Sequence, residues 1–261
     1  MTTILGILNI TEDSFSDGAK YLEPAQAIAH GRELVADGAE ILDLGAASSN
    51  PESMGVPPDV EISRLAPVVA ALKEIPLSID SFSPRVQCWA LANGAAFVND
   101  IQGFPDSRLY SELAGSSAKL IVMHSVQERG GATRVHVPPN EIMDRIMRFF
   151  DDRLARLEDA GIARKRLIID PGMGYFLGTD PQTSLTVLRR LGDLKTRFAL
   201  PVLVSVSRKS FLRKLTGRSV HESGAVSLAA ELFAIRQGAD YIRTHAPGAL
   251  RDAILLEKTL G

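Results

Sequence analysis

The chain has 261 residues, 45% hydrophobic and 23% charged, with a formal net charge of -2 and one cysteine, Cys88. That size and balance suit one large α/β domain or two small ones in an ordinary soluble globule, and the charge gives no electrostatic footprint for nucleic acid or an anionic membrane. A lone cysteine excludes an internal disulfide and fits a reducing, cytoplasmic setting; no apolar run approaches the ~18 residues of a membrane span, and the first residues lack the basic and small-residue pattern of a secretory signal.

Ile4 to Leu8 is a short apolar run and reads as a strand buried on both faces. It stops at Asn9, and a turn-rich loop follows to Gly18, whose single aromatic, Phe15, sits among small polar residues as a ligand-facing side chain would. Pro24 to Asp37 spaces Ala27, Ile28, Leu34 and Val35 as a helix face, with Gly38 as a left-handed cap. Ile41 to Leu44 is the second strand, and a loop runs from Gly45 to about Pro58. Val60 to Lys73 is a helix carrying Ile62, Leu65, Val69 and Leu72. Leu77 to Asp80 is a strand, and Pro84 opens the next helix, which Gly94 closes. Ala96 to Asp100 is the fourth strand, followed by a short helix near Leu109 to Ala114. Lys119 to Met123 is the fifth strand, running into His124.

Ser125 to Pro139 is polar, rich in glycine and proline, and reads as a mobile loop. Asn140 is the expected cap of a long helix with Ile142, Ile146, Phe149, Phe150, Leu154 and Leu157, ending at Gly161. Leu167 to Asp170 is the sixth strand and Val202 to Val206 the seventh. Helix is expected from Gln182 and from Val226 to Arg236, the latter capped by Gly238. Tyr241 to Arg243 is the eighth strand, and Pro247 to Leu260 the last helix. Eight strands alternating with helices every roughly thirty residues predict a single (β/α)8 barrel over residues 1–261. The competing doubly wound open sheet loses ground because no Gly-x-Gly-x-x-Gly follows the first strand.

In such a barrel, chemistry sits at the C-terminal strand ends. Pooling the tips brings together Asn9, Asp43, Asp80, Asn99, His124, Asp170, Lys209, Arg243 and His245. Aspartates and asparagines at one end form a hydrogen-bonding wall rather than a metal cage, and no spacing suggests zinc. Arg243 and His245 are two apart, so an extended chain points both to one side. With the Ser207-Arg208-Lys209-Ser210 turn they form an anion-handling side, where barrels of this kind often bind phosphate. Asp43, deep at its strand end, has a purely orienting role as its plainer reading. His30, His136 and His221 read as structural.

Taken in order, these tips resemble dihydropteroate synthase of the folate pathway over nearly the whole chain. The resemblance rests on Gly6 to Thr11 with Asp13 to Gly18, Ser78-Ile79-Asp80, Asn99-Asp100-Ile101, Met123-His124, Asp170 to Gly174, Ser207 to Ser210 and Arg243-Thr244-His245. It implies condensation of 6-hydroxymethyl-7,8-dihydropterin pyrophosphate with 4-aminobenzoate, Mg²⁺ as cofactor, small-molecule substrates only, and a homodimer packed near the last helices, with Leu255 and Leu256 as interface candidates. By position it implies that Asp80, Asn99, Asp170 and Lys209 hold the pterin, with Met123 on its face. Asn9 would bind Mg²⁺, and Arg243 and His245 the pyrophosphate. Gly174, Tyr175, Phe176 and Ser210 would complete the substrate site, and Phe15, Asp17, Ser49 and Pro51 would close over 4-aminobenzoate. Asp80 and Asp17 would offset positive charge at the reacting carbon.

Three departures from the family pattern cluster on the 4-aminobenzoate side: Glu12 where a proline is usual, Asn50 where an arginine is usual, and the run Gly174-Tyr175-Phe176-Leu177-Gly178, two residues longer and without its lysine. This resembles the acquired, sulfonamide-insensitive synthases, with Phe176-Leu177 remodelling the aryl pocket. Two other readings share the pterin wall: a pterin-binding methyltransferase module, and a non-catalytic pterin-binding paralogue.

Overall fold

The computed structural model describes residues 2–11, 23–48, 55–127 and 130–261. Strands and helices alternate: β1 (Thr3–Asn9), α1 (Pro24–Ala36), β2 (Ile41–Gly45), α2 (Pro58–Ala71), β3 (Leu77–Asp80), α3 (Pro84–Ala92), β4 (Phe97–Asp100), α4 (Tyr110–Gly115) and β5 (Lys119–Met123). There follow α5 (Ile142–Asp159), β6 (Leu167–Asp170), α6 (Pro181–Arg189), α7 (Leu191–Phe198), β7 (Leu203–Val204), α8 (Ser210–Thr216), α9 (Gly224–Arg236), β8 (Tyr241–Thr244) and α10 (Pro247–Leu260). Prolines open α1, α2, α3, α6 and α10, where a missing N–H costs nothing and φ is already helical. Gly38 and Gly238 take positive φ just past α1 and α9, as left-handed caps do.

All strand pairings are parallel, in the order β6-β5-β4-β3-β2-β1-β8-β7. The ring closes between β6 and β7 through the bridge Ile169–Val202, with Ile169 N–H donating to Pro201 O at 3.0 Å. The fold is a (β/α)8 barrel. Alternation splits each strand between two cores. Leu5, Ile41, Phe97, Ile121, Ile168 and Leu203 fill the barrel's inside as one buried cluster. Their neighbours, such as Leu8, Leu42, Val98, Leu120, Ile169 and Val204, face outward beneath the helices. On α5 the i, i+4 positions Ile142, Ile146, Phe150 and Leu154 are all buried, each burial contributing roughly 1.5–3 kcal/mol.

Three local expectations are corrected. The seventh strand is two residues rather than five: Val202 makes only an isolated bridge to Ile169, its N–H donating to Asp240 Oδ2 at 2.8 Å, and after Val204 the chain leaves the ladder toward the Arg208 turn. Asn140 does not cap α5. The helix starts at Ile142 after a turn in which Glu141 N–H donates to Pro138 O at 3.0 Å. The helix expected from Gln182 is present as α6 and ends at Arg190, whose φ of -114° leaves the helical range, and the one expected from Val226 to Arg236 lies within α9. The segment read as a mobile loop is anchored where it is described: Val135 O accepts from Thr179 N–H at 2.8 Å, and Val137 O from Thr183 Oγ1 at 2.9 Å.

Candidate functional site

The inner apolar layer dictates the site, because the residue two further along each strand points to the same side. Ile41 leads to Asp43, Phe97 to Asn99, Ile121 to Met123, Ile168 to Asp170 and Tyr241 to Arg243, then His245. The register sets Asp80 opposite Asn99 and Met123 opposite Asp170. One wall therefore carries Asp80, Asn99, Met123 and Asp170 on four successive strands, with Lys209 completing it from the N-terminus of α8.

Two carboxylates hold Arg243. Its Nε lies 2.5 Å from Asp43 Oδ2 and its Nη2 donates to Asp80 Oδ2 at 2.5 Å. Asp43 is fully buried, so its role is to brace Arg243 from below, a larger one than orienting loops. Burial works against the guanidinium charge, but Asp43, Asp80 and Asp170 together hold it firmly protonated. Burial pushes the Asp80 carboxyl up to about 6, with Asp43 adding to the rise and Arg243 and Lys209 opposing it. Asp170 is also pushed up to about 6 by burial, against the Gly172 N–H bond and the nearby cations. Burial and Arg243 draw Lys209 down to about 8, against the pull of Asp170 and Asp80. Asn99 Oδ1 is buried without a hydrogen-bond donor, an arrangement that costs on the order of 1–3 kcal/mol until one arrives.

The Asp170 turn is tight. Gly172 N–H donates to Asp170 Oδ1 at 2.8 Å, and at φ +74° a Cβ on Gly172 would run into the His124 carbonyl, so only glycine fits. His124 itself is not in the site. Its Nδ1 lies 3.1 Å from Pro171 O, its ring packs edge-on against Phe149 at 5.3 Å, and burial draws it down to about 4. It falls one residue beyond inward-facing Met123 and so turns outward. Below the loops, Gln87 Nε2 donates to Ser81 O at 2.7 Å and to Asp100 Oδ2 at 2.9 Å, fixing the tips of β3 and β4.

Met123, Phe176, Ile101 and Ala132 form a buried apolar cluster beside the wall, with Tyr175 at its edge. Lys209 Nζ lies 5.1 Å from the Phe176 ring centroid, within cation–π range. Lys214 Nζ stands 5.7 Å from the Tyr175 ring, at the rim. Gly174 N–H donates to Ser184 Oγ at 3.0 Å, and a Cβ on Gly174 would lie 3.3 Å from Ser210 Oγ, so Gly174, Lys209 and Ser210 converge. On the other side, Arg208 takes a left-handed φ of +58°, unusual for a non-glycine, and its N–H donates to Ser227 Oγ at 2.9 Å. Ser207 Oγ lies 3.0 Å from His245 Nδ1. Burial, Arg208, Arg243, Lys209 and His30 hold His245 well below its usual range, hence neutral.

Asn9 ends β1 with its Oδ1 over Gly45. Among the described residues no three His, Cys, Asp or Glu side chains gather to hold a metal ion. Phe15, Asp17, Ser49 and Pro51, like Glu12 and Asn50, lie outside the described residues. The residue that sequence reasoning undervalued is Asp43, whose signal was a charge inside the apolar run Ile41–Leu44.

Residues 5–245 match the family described as pterin binding enzyme. The chain is 58% identical to dihydropteroate synthase type-2 of Escherichia coli over 253 residues, 96% of this chain and 93% of that protein. Its fold superposes on a Yersinia pestis dihydropteroate synthase in a sulfonamide drug complex with a TM-score of 0.91, at 31% identity, covering 99% of this chain and 94% of that one. It also superposes on a Xanthomonas albilineans dihydropteroate synthase in complex with 7,8-dihydropteroate with a TM-score of 0.84, at 33% identity, covering 99% and 93% of the two chains. An inward wall of Asp80, Asn99, Asp170 and Lys209 on a (β/α)8 barrel, with these likenesses over nearly its full length, means that the chain belongs to the pterin-binding enzymes and, within them, to the dihydropteroate synthases.

Proposed function

We propose that the site joins 6-hydroxymethyl-7,8-dihydropterin pyrophosphate to 4-aminobenzoate, giving 7,8-dihydropteroate and pyrophosphate. The observation that carries this reading is the wall itself. A pterin presents an edge of N–H donors and ring nitrogens. Asp80 and Asp170 supply acceptors, Lys209 supplies a donor, and Asn99 supplies both, with a buried Oδ1 that lacks a partner. Met123 and the Ile101 cluster offer an apolar face for the ring.

In the reaction the methylene C–O bond breaks and its electron pair leaves with pyrophosphate. The aromatic amine then forms the C–N bond and loses a proton. Asp80 offsets cationic charge at the methylene, and Asp17 is assigned the same task. Arg243, whose Nη1 neither carboxylate uses, and His245 receive the leaving group, so no protein nucleophile is needed. Asn9 offers a single neutral oxygen at the barrel mouth, which suits Mg²⁺, a cation usually held by one or two protein ligands plus substrate phosphates. When bound, Mg²⁺ neutralises charge on the departing pyrophosphate. Phe15, Ser49 and Pro51 are assigned to 4-aminobenzoate. The test is pyrophosphate release with Mg²⁺ and 4-aminobenzoate; pterin binding without release would support the non-catalytic paralogue instead.

We also propose sulfonamide insensitivity. Support comes from Phe176, a bulky ring packed with Met123 and beside Lys209 at the edge of the pterin wall. In this reading the ring narrows the 4-aminobenzoate pocket so that a slim carboxylate would still enter and a substituted sulfonyl group would clash. Phe176→Ala is expected to tighten sulfonamide inhibition by about tenfold or more while shifting the KM for 4-aminobenzoate less, as inhibition kinetics would read. Unchanged inhibition would reduce the two extra residues to loop drift. Truncating Phe176 alone is cleaner than deleting it with Leu177, which is fully buried in the outer core.

The chain is proposed to work as a cytoplasmic homodimer. Support for the dimer comes from Leu255, Leu256 and Leu260, exposed by 64%, 58% and 79% on α10. Sedimentation velocity decides it: a species of 28.2 kDa at micromolar concentration would exclude the dimer. Support for the cytoplasm comes from the free thiol of half-buried Cys88. No helix among the described residues is long and apolar enough to cross a membrane.

A further inference from the structure

Asp80 and Asn99 point into the barrel, and the residue after each, Ser81 and Asp100, turns outward toward the helices and is buried there. Every polar atom of Ser81 is engaged. Its N–H donates to Asn99 O at 3.1 Å, and its carbonyl accepts from Gln87 Nε2 at 2.7 Å. Its Oγ donates to Glu61 Oε2 at 2.8 Å and accepts the Ser83 N–H at 3.2 Å. The Asp100 carboxylate is wrapped by its own turn: Gln102 N–H donates to Oδ1 at 2.7 Å and Phe104 N–H to Oδ2 at 3.0 Å. Phe104 takes a left-handed φ of +63° there, unusual for a non-glycine. Ile101, inside that turn, belongs to the apolar cluster beside the wall.

The two grips meet at Gln87, which is 1% exposed on α3. Its Nε2 carries two hydrogens; one goes to Ser81 O and the other to Asp100 Oδ2 at 2.9 Å. Both partners are acceptors, so the amide nitrogen and not its oxygen faces them. A carboxylate would offer no hydrogen here and a hydroxyl only one. Glu61 is 5% exposed, on the face of α2 that also buries Leu65, Val68 and Val69. A carboxylate in such a place is costly unless hydrogen-bonded, and Ser81 Oγ supplies a bond.

We propose that Glu61 and Gln87 are positioning residues for the pterin wall: gripping Ser81 and Asp100 from outside the barrel, they fix the spacing and aim at which Asp80 and Asn99 meet the edge of the pterin. Both act without touching the ring. A wall that matches donors to acceptors tolerates little drift, since a misplacement of about 1 Å costs on the order of a hundredfold. This assignment rests on the proposed pterin-holding role of Asp80 and Asn99.

The experiment titrates 6-hydroxymethyl-7,8-dihydropterin into the full chain calorimetrically, with KM values taken from pyrophosphate release. Gln87→Met keeps the length and removes both hydrogens. It is expected to weaken pterin binding and raise the KM for the pterin pyrophosphate by about tenfold, with the KM for 4-aminobenzoate unchanged. Glu61→Leu should weaken pterin binding by about fivefold, and Glu61→Gln, whose amide oxygen still accepts from Ser81, should stay within about twofold of the wild type. The effect runs through the wall, so in an Asn99→Ala background Gln87→Met should cost only about threefold or less, whereas mere loosening of the fold would multiply the two penalties. If Gln87→Met does not fold, Gln87→Asn, one methylene too short to span both tips, should weaken binding by about threefold. A folded Gln87→Met or Gln87→Asn with wild-type pterin binding, penalties that multiply, a parallel rise in the KM for 4-aminobenzoate, or a Glu61→Gln as weak as Glu61→Leu overturns the proposal. A wild type that binds no pterin overturns it together with the wall. A failure of the synthase reading alone would show separately, as pterin binding without pyrophosphate release, and the binding titrations would still decide.

Discussion

Arg243→Met is expected to lose roughly 3–5 kcal/mol of stability and about a thousandfold or more in product formation. The stability loss follows from what remains behind. Asp43 is fully buried and Asp80 half-buried, and Arg243 is the cation that touches both. Without it, two carboxylates stand together at a largely buried site, and one of them must take up a proton or face the other uncompensated. Desolvation, which makes a buried ion pair a weak stabiliser as a whole, is the same term that makes half of such a pair expensive. The two effects can be separated. Adding Asp43→Asn to Arg243→Met should recover much of the stability in urea unfolding, because the deepest uncompensated charge is gone. It should recover none of the activity, because the anion-handling side still lacks its guanidinium. A stable but inactive single variant would mean that Asp43 finds another donor. A destabilised but active one would mean that Arg243 is only a brace.

Asp170→Asn is expected to be inactive and yet more stable than the wild type above pH 6. The folded carboxyl titrates at about 6, against an ordinary 3.8, chiefly because burial disfavours its charge. Between those two values the native protein binds a proton that the unfolded chain has released. Stability that is fully present below 3.8 is therefore lost as pH rises through 6. Two pH units of displacement amount to roughly 3 kcal/mol. Asparagine keeps the shape and still accepts the Gly172 N–H, but never ionises. Thermal unfolding of the two proteins should thus converge near pH 4, separate as pH rises to about 6, and stay apart by a constant gap up to pH 8. Equal stability at pH 8 would show that the site hydrates or pairs this carboxylate better than its burial implies. A buried carboxylate kept at such a cost is what a site gives up in stability to offer an ionised acceptor to a ligand.

Local patterns along the chain suffice for the architecture and for the membership of the wall. Buried parallel strands read as continuous apolar runs, prolines open helices and glycines close them, so eight repeats could be counted. Each run stopped at the residue that now faces the barrel mouth: Asn9, Asp80, Asn99, Met123 and Asp170. Those signals are local, carried by periodicity and by backbone conformations that only a few residues adopt. What lay beyond the sequence is what depends on contacts between distant strands. That Arg243 spends two of its nitrogens on Asp43 and Asp80 is decided by the closure that sets β8 beside β1, and β1 beside β2. His124 looked like a tip residue, but one step of alternation turns it outward onto Phe149. The entry to the seventh strand is held by Asp240, a residue 38 positions away from Val202. Linear order fixes which side chains a strand can present, but pairing, burial and protonation are properties of neighbours, and in a closed barrel the tertiary structure chooses them.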